Sequence, residues 1–224
     1  MKKITVMIVE DHLIVREGLS LLLKHELDIE VIAEAENGRQ SIQLALKHLP
    51  NVVVMDIGMP LLNGMEAARQ ILKHRPEIKI LILSAHSDSA YVEQVTALGA
   101  VGFLLKHTSS HELANAIREV AKGNTYFSTL IDERLHHLTR KLGYTEAESA
   151  KRNKLSSREL EVLQLIAEGM ANKMVAAELV VTFKTVDKHR QHLMAKLNIH
   201  DIASLTRYAI AEGIIESSVR VTII

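Results

Sequence analysis

The chain of 224 residues contains no cysteine, no tryptophan, and only three phenylalanines and four tyrosines. Without cysteine there is no disulfide, thiolate zinc site, iron–sulfur cluster or cysteine nucleophile. So few aromatic side chains argue against a surface on which single-stranded bases stack. No apolar run approaches the ~18 residues of a membrane span, and 27 basic residues balance 27 acidic ones. We therefore expect a cytoplasmic protein of two domains that does not bind a membrane.

Short apolar runs alternate with helical patterns through the first half of the chain. The runs are Ile4–Val9, Ile29–Ala35, Val52–Met55, Ile78–Leu83 and Val101–Leu105. Most are apolar at consecutive positions, which indicates strands buried on both faces of a parallel sheet. Segments with helical spacing follow each run, namely Leu13–Leu23, Ser41–Leu49, Met65–Leu72, Tyr91–Leu98 and Leu113–Val120. The pattern predicts a doubly wound α/β domain with a parallel five-stranded sheet in the flavodoxin-like order 2-1-3-4-5.

The second half of the chain has a different pattern. The polar stretch over 123–153 predicts a partly helical linker between a domain over 1–122 and a domain over 154–224. Ser156 and Glu159 form a capping-box pattern, which predicts the first of four helices in the second domain. Two short helices joined by a tight turn within such a domain predict an all-α helix-turn-helix domain.

Polar side chains stand where the predicted strands of the first domain stop. In chain order they are Glu10 and Asp11, Asp56, Ser84 and Lys106. Open parallel sheets bind ligands outside the carboxyl ends of their strands, where the strand order reverses. Any one of these residues could be a solvated loop residue. Five of them on four strand ends indicate a site.

The chemistry of this set points to phosphoryl transfer. Crowded carboxylates repel one another unless a cation neutralises them, and Mg²⁺ is the small hard cation that also accepts phosphate ligands. A carboxylate beside Mg²⁺ can attack a phosphoryl group and form an acyl phosphate. Lys106 and the Ser84 hydroxyl would then bind the phosphoryl oxygens, so we expect Asp56 to be the phosphoacceptor.

Short motifs in both halves of the chain resemble those of one protein family. In the first half they are Ile8-Val-Glu-Asp-His12, Val54-Met-Asp-Ile-Gly-Met-Pro60 with Asn63-Gly64, Leu83-Ser-Ala85 and Gly102-Phe-Leu-Leu-Lys106. In the second half they are Leu155-Ser-Ser-Arg-Glu-Leu-Glu-Val-Leu163, Gly169 with Asn172-Lys173, and Lys184-Thr-Val-Asp-Lys-His189. The first set resembles the receiver domain of two-component response regulators, and the second resembles the LuxR-type DNA-binding domain. Together they match the NarL/FixJ type over nearly the whole chain.

The resemblance implies roles for the residues at the strand ends. Asp56 would be phosphorylated by a sensor histidine kinase, Asp11 would ligate Mg²⁺, and Glu10 would do so through water. The backbone carbonyl of Gly58 would be a further ligand, and Ser84 and Lys106 would hold the phosphoryl group. Phe103 stands at the position of the aromatic switch residue. Glu10 replaces the aspartate that many receivers carry, and Phe103 lacks a tyrosine hydroxyl, so its switching would act through packing alone.

One helix of the second domain is expected to enter the major groove of double-stranded DNA. The resemblance places DNA contacts on Lys184, Thr185, Asp187, Lys188, Arg190 and Gln191. Thr182 would cap this helix, and Val186, Leu193 and Leu197 would pack inward. Lysine can donate to guanine, glutamine can pair with adenine, and aspartate can accept from cytosine. Asp187 either contacts a base or forms an ion pair with Arg190 or Lys184.

The leading interpretation is a transcription regulator that is not an enzyme beyond its own phosphorylation and slow dephosphorylation. Phosphorylation would free the DNA-binding domain, promote a homodimer, or both. The last helix offers Ile202, Leu205 and Ala209 for a dimer, unless this face only completes the core. Two alternatives remain, an aspartate-nucleophile phosphatase and a DNA-binding regulator that needs no phosphorylation. Gly58 stands where such phosphatases carry a second aspartate.

Overall fold

Six parallel strands form one sheet at the centre of the first domain. The computed structural model describes residues 3–85, 95, 98–128 and 155–215. The sheet order is β2-β1-β3-β4-β5-β6. The strands are β1 (Ile4–Val9), β2 (Ile29–Ala35), β3 (Val52–Asp56), β4 (Lys79–Ser84), β5 (Gly102–Leu105) and β6 (Tyr126–Phe127).

The prediction of five strands is wrong by one, although the order 2-1-3-4-5 is confirmed. Tyr126 and Phe127 pair in parallel with Gly102 and Phe103 and add a short strand at the edge of the sheet. Two residues are too short for any periodicity to mark them as a strand. They also lie in the stretch that the sequence predicts as a linker.

Four helices of the described residues cover the two faces of this sheet. They are α1 (Leu13–Lys24), α2 (Gly38–His48), α3 (Gly64–His74) and α4 (Ser110–Ala121). A polar side chain caps the N-terminus of three of them by accepting a backbone N–H, namely Asn37, Asn63 and Ser109. The helix predicted over Tyr91–Leu98 lies mostly outside the described residues.

Successive side chains of each buried strand enter two separate cores. In β3, Val53 and Met55 pack against the side of the sheet that α2 and α3 cover. Val52 and Val54 pack on the opposite side with α1 and α4. This alternation explains why the central strands are apolar at every position, as the sequence predicts.

In its described residues, 155–215, the second domain has a core of its own that is built from four helices, as predicted. They are α5 (Ser157–Ala167), α6 (Asn172–Glu178), α7 (Phe183–Leu197) and α8 (Ile202–Ala211). The capping box at the start of α5 is confirmed, since Ser156 and Glu159 exchange backbone and side-chain hydrogen bonds. Gly169 follows α5 with a φ of 93°, the left-handed conformation that ends many helices. In the part of the chain that the structure describes, no helix is both long and apolar enough to cross a bilayer.

Candidate functional site

Two buried carboxylates meet at the carboxyl edge of the sheet. Glu10 directly follows β1, and Asp56 is the last residue of β3. The next strand in the chain, β2, lies on one side of β1, and β3 lies on the other side. In such sheets the ligand crevice lies where the strand order reverses, which here is between β1 and β3. Glu10 is 1% exposed and Asp56 is 4% exposed. Such burial of two acids requires a compensating charge.

Lys106 supplies that charge by bridging the two carboxylates. Its Nζ lies 2.8 Å from Glu10 Oε2 and 3.0 Å from Asp56 Oδ2. The backbone N–H of Lys106 donates to the Ser84 carbonyl at 2.8 Å, which fixes the lysine just beyond β5. Burial alone would lower the pKa of Lys106, but Asp56 and Glu10 raise it above the usual lysine value. The lysine is therefore held charged between the two acids.

The electrostatics of Asp56 make its ionised form less favourable than in water, which raises its pKa. Burial, followed by the charge of Glu10, raises the pKa of Asp56 from 3.8 to about 6. Lys106 and the Ile57 backbone N–H, which donates to Asp56 Oδ1 at 2.8 Å, oppose the shift only in part. A cation bound beside Asp56 would remove this penalty and leave the carboxylate ionised as a nucleophile.

Asp11 and His12 lie beside Glu10 and complete an acidic group. Ligand atoms of Glu10, Asp11 and His12 lie within 4.8 Å of one another. Within the described ranges, neither Glu10 Oε2 nor Asp11 Oδ1 has a hydrogen-bond donor in good geometry, although each has an ion-pair neighbour. Buried oxygens in need of positive charge suit a hard divalent cation. Asp56 lies outside this group and is joined to it through Lys106.

His12 was not predicted to take part in this site. Its Nδ1 lies 3.0 Å from Glu10 Oε1 and 3.0 Å from Asp11 Oδ1. The charge of Asp11, followed by the hydrogen bond to Glu10, raises the pKa of His12 above 6.5. The sequence signal for this role was the position of His12 directly after Glu10 and Asp11.

The remaining residues predicted for this site lie on or directly after the neighbouring strands β3, β4 and β5. Ser84 is buried at the end of β4, where it pairs with Leu105 of β5. Gly58 is half-buried in the loop after β3. Phe103 is fully buried in the core beneath the site, so any movement of its ring requires its neighbours to repack.

Helix α7 carries the residues predicted to contact DNA. The Thr182 hydroxyl accepts a hydrogen bond from the Thr185 backbone N–H at 3.2 Å and caps the helix as predicted. Val186 and Leu193 are fully buried and Leu197 packs against the same core. Lys184, Lys188 and Gln191 are exposed, whereas Thr185, Asp187 and Arg190 are half-buried. The helix therefore has one packed face and one polar face that is open to solvent.

Asp187 forms a hydrogen bond with Gln191 and not the ion pair with Arg190 or Lys184 that was one of the two predictions. Its Oδ2 accepts from Gln191 Nε2 at 2.9 Å, one helical turn further on. Arg190 instead donates to Asn172 Oδ1 on α6 at 3.1 Å. Among the described residues, no hydrogen bond or ion pair joins α7 to the first domain.

Both halves of the chain match known protein families. The first matches the response regulator receiver domain over residues 6–118, and the second matches the bacterial regulatory proteins of the luxR family over residues 153–209. The chain is 35% identical over 223 residues to the transcriptional regulatory protein DegU of Brevibacillus brevis, with 94% of each chain covered. It belongs to the two-component response regulators with a LuxR-type DNA-binding domain.

Other relatives of this response regulator are similar over comparable lengths. It is 37% identical to the oxygen regulatory protein NreC of Staphylococcus aureus over 217 residues, which cover 94% of this chain and 99% of that one. A LuxR-family response regulator from Aurantimonas sp. SI85-9A1 superposes with a TM-score of 0.60 at 31% identity, over 62% of this chain and 100% of that one. RcsB of Salmonella enterica serovar Typhimurium, bound to the promoter rprA, has a TM-score of 0.56 at 25% identity, over 92% and 98% of the two chains.

The backbone around Gly64, the first residue of α3, leaves no room for a Cβ atom unless it shifts. A Cβ built there would lie 1.8 Å from the Asp56 carbonyl oxygen. The Gly64 N–H also donates to the Ile57 carbonyl at 2.9 Å. The loop between Asp56 and α3 therefore folds back on the backbone of Asp56 and Ile57.

We predict that Gly64→Ala lowers the free energy of unfolding by about 2–3 kcal/mol, because the backbone of β3 must move to admit the methyl group. Urea denaturation of the two chains measures the change. Gly18→Ala in α1 is the matched control, because a Cβ there meets no atom within 4 Å. That variant should be neutral or stabilised by up to about 1 kcal/mol. Equal effects of the two substitutions would contradict the close approach at Gly64.

We predict that Asp56→Asn stabilises the metal-free chain above neutral pH. The pKa of Asp56 is about 6 in the folded state, above its ordinary 3.8. The folded state then holds more protons than the unfolded state between about pH 4 and pH 6, so native stability falls as pH rises through this window. The asparagine variant lacks this loss, so its free energy of unfolding should exceed that of the wild type by about 3 kcal/mol at pH 8 and by little at pH 4. Urea denaturation in a chelating buffer across this range tests the prediction, and a gain independent of pH would refute it.

Proposed function

We propose that this response regulator accepts a phosphoryl group on Asp56 from a sensor histidine kinase, and that the phosphoryl group controls its binding to double-stranded DNA. The observation that carries the proposal is the placement of Lys106 Nζ between the buried carboxylates of Glu10 and Asp56. The proposed division is a receiver domain over 1–122, a linker over 123–153 and a DNA-binding domain over 154–224.

Four groups of the receiver domain would hold Mg²⁺, namely the side chains of Glu10, Asp11 and Asp56 and the backbone carbonyl of Gly58. An ion bound there would neutralise the charge of the acids and of the oxygens of the incoming phosphoryl group. An Asp56 carboxylate oxygen attacks phosphorus and forms an acyl phosphate, while the phosphorus–nitrogen bond to the kinase histidine breaks. The departing imidazole takes up the electron pair and regains a proton from solvent.

Lys106, Ser84 and Phe103 would act after the transfer. The Lys106 ammonium exchanges its carboxylate partner for a phosphoryl oxygen, and the Ser84 hydroxyl donates to another. Movement of Ser84 toward the phosphoryl group would let Phe103 repack within the core. The change would reach the surface around β5.

The DNA-binding domain would use the polar face of α7 in the major groove. The proposed contacts are Lys184, Thr185, Asp187, Lys188, Arg190 and Gln191. The exposed lysines suit guanine edges and phosphates, and the paired side chains of Asp187 and Gln191 form a short polar edge for bases.

A homodimer would place two such helices in successive half-sites. Leu205 and Ala209, considered for the dimer face, are fully buried in the domain core. Ile202 and Ile210 on the same helix α8 are 49% and 40% exposed. The proposed dimer face of α8 therefore rests on these two isoleucines.

Labelling of the full chain by radioactive acetyl phosphate tests the phosphoacceptor. We expect Mg²⁺-dependent incorporation of up to one equivalent, lost in Asp56→Asn. Hydrolysis of many equivalents of the donor would instead support the phosphatase alternative. No incorporation by the wild-type chain, or equal incorporation by Asp56→Asn, would overturn the proposal.

A further inference from the structure

The DNA-binding domain contacts the receiver domain at the loop that follows Asp56. Gln164 of α5 is 1% exposed, and its amide bonds to both ends of the segment over 59–63. Its Nε2 donates to the Met59 carbonyl at 3.0 Å, and its Oε1 accepts from the Asn63 backbone N–H at 2.8 Å. A single side chain of one domain therefore spans a loop of the other.

Glu168 at the end of α5 holds the middle of the same loop. Its carboxylate accepts the Leu61 backbone N–H at 3.2 Å. It also accepts from Gln164 Nε2 at 2.8 Å, so the two side chains form one network. Burial raises the pKa of Glu168, as expected of a carboxyl group enclosed between two domains.

Leu61 has a backbone conformation that its own sequence does not favour. Its φ is 69°, the left-handed region that glycine and asparagine adopt most readily. Its side chain packs against the core of the DNA-binding domain, and its N–H is bound by Glu168. Unfavourable conformations of this kind persist only where surrounding groups enforce them. Within the loop, the Leu62 N–H donates to the Pro60 carbonyl at 2.8 Å across Leu61, and the other domain adds the bond from Glu168.

The held loop contains the backbone on which the phosphoacceptor site depends. Met59 directly follows Gly58, the proposed carbonyl ligand, and the Met59 N–H donates to the Ile57 carbonyl at 3.0 Å. At the other end, Asn63 caps α3 and its Nδ2 donates to the Ile214 carbonyl at 3.0 Å. A shift of the loop would therefore move Gly58 relative to Asp56.

We propose that Gln164 and Glu168 are positioning residues for phosphorylation: from the DNA-binding domain, they hold the loop over 57–63 in the geometry in which Gly58 and Asp56 bind Mg²⁺ together. The inference rests on the proposed function of Asp56. It also has a reciprocal consequence, because whatever stabilises the metal-bound loop must strengthen the contact with α5 by the same factor. The loop thus couples the phosphoryl site to the DNA-binding domain directly.

A second contact between the domains, at α2, does not involve this loop and provides a control. Arg39 of α2 lies 3.2 Å from Glu178 and 3.3 Å from Glu161. Substitution of Glu178 by glutamine weakens the domain contact at α2 and leaves every bond to the 57–63 loop in place. Its effect therefore separates loop positioning from loss of the domain contact in general.

The test uses the full chain and the variants Gln164→Leu, Glu168→Ala, Glu168→Gln and Glu178→Gln. The first readout is amide hydrogen exchange of Leu61 and Asn63 without metal, measured by NMR. The second is the Mg²⁺ concentration that gives half-maximal phosphorylation by acetyl phosphate. We expect about tenfold faster exchange and an about tenfold higher Mg²⁺ requirement in Gln164→Leu and Glu168→Ala. Glu168→Gln keeps an acceptor oxygen, so it and Glu178→Gln should stay within about twofold of wild type.

Each outcome decides the proposal. If Gln164→Leu and Glu168→Ala had the Mg²⁺ requirement of the wild type, whatever their exchange rates, the proposal would be overturned. The phosphoacceptor role of Asp56 would stay intact. An equal shift in Glu178→Gln would also overturn the proposal, because the effect would then belong to the domain contact as a whole. A wild-type chain that is not phosphorylated at all would refute the proposed function itself, while the exchange data would still report whether α5 holds the loop.

Discussion

Lys106→Met is expected to slow phosphorylation of the chain by about 10²- to 10³-fold, the cost of removing one preorganised donor from a developing anion. Lys106 Nζ contacts Asp56 Oδ2 at 3.0 Å and is the proposed partner of the phosphoryl oxygens. Methionine keeps an unbranched side chain as far as Cε and lacks the ammonium group, so it removes the charge and its hydrogen bonds. The rate of labelling by acetyl phosphate at saturating Mg²⁺ measures the effect.

The same substitution should reduce stability, because it leaves Glu10 and Asp56 buried without a counter-charge. We expect the free energy of unfolding to fall by about 3 kcal/mol at pH 8 without metal. Added Mg²⁺ should restore part of this loss, and it should stabilise the variant more than it stabilises the wild type. Lys122→Met is the matched control, since Lys122 is exposed and pairs with Glu119 at 2.6 Å on the surface. It should change stability by at most about 1 kcal/mol. Equal stabilisation of both variants by Mg²⁺ would contradict the expectation that the ion takes over the charge of Lys106.

Removal of two charges from α7 is expected to weaken DNA binding by about 100-fold. Lys184 and Lys188 are exposed on the polar face of the helix. In the double variant Lys184→Gln with Lys188→Gln, each lost contact costs about tenfold in affinity at physiological salt. The slope of log affinity against log salt should fall by about 2, because two phosphate or base contacts disappear. Titration of a selected DNA site at several salt concentrations measures both quantities.

Lys73→Gln with Lys122→Gln is the control for this prediction. It removes the same net charge from exposed lysines of the receiver domain. We expect its affinity and salt slope to equal those of the wild type within about twofold, because long-range effects of surface charge are screened at physiological salt. A similar loss in both double variants would mean that net charge, and not the face of α7, governs binding.

Most of the fold could be predicted because its elements have strong local signals. The bounds of β1 and β2 agree with the sequence prediction. Their apolar periodicity and caps are local properties of the chain. The sixth strand was missed because its two residues are placed by pairing with β5, which no local pattern encodes.

The sequence predicted which receiver residues form the site, but not the contacts that join its loop to the other domain. The positions of Glu10, Asp56 and Lys106 at strand ends indicated a common edge of the sheet, and the structure brings these three side chains into contact. The bonds of Gln164 to Met59 and Asn63 join residues about a hundred positions apart in the chain. Such contacts depend on how two folded domains meet, which no motif in either domain specifies.

The affinity of the full chain for a selected DNA site, measured with and without Mg²⁺ and beryllofluoride, tests most directly whether the receiver site controls the DNA-binding domain. Beryllofluoride is expected to change wild-type affinity by at least about fivefold, as for coupled sites, and to have no effect on Asp56→Asn. An unchanged wild-type affinity, or an equal change in Asp56→Asn, would contradict this expectation.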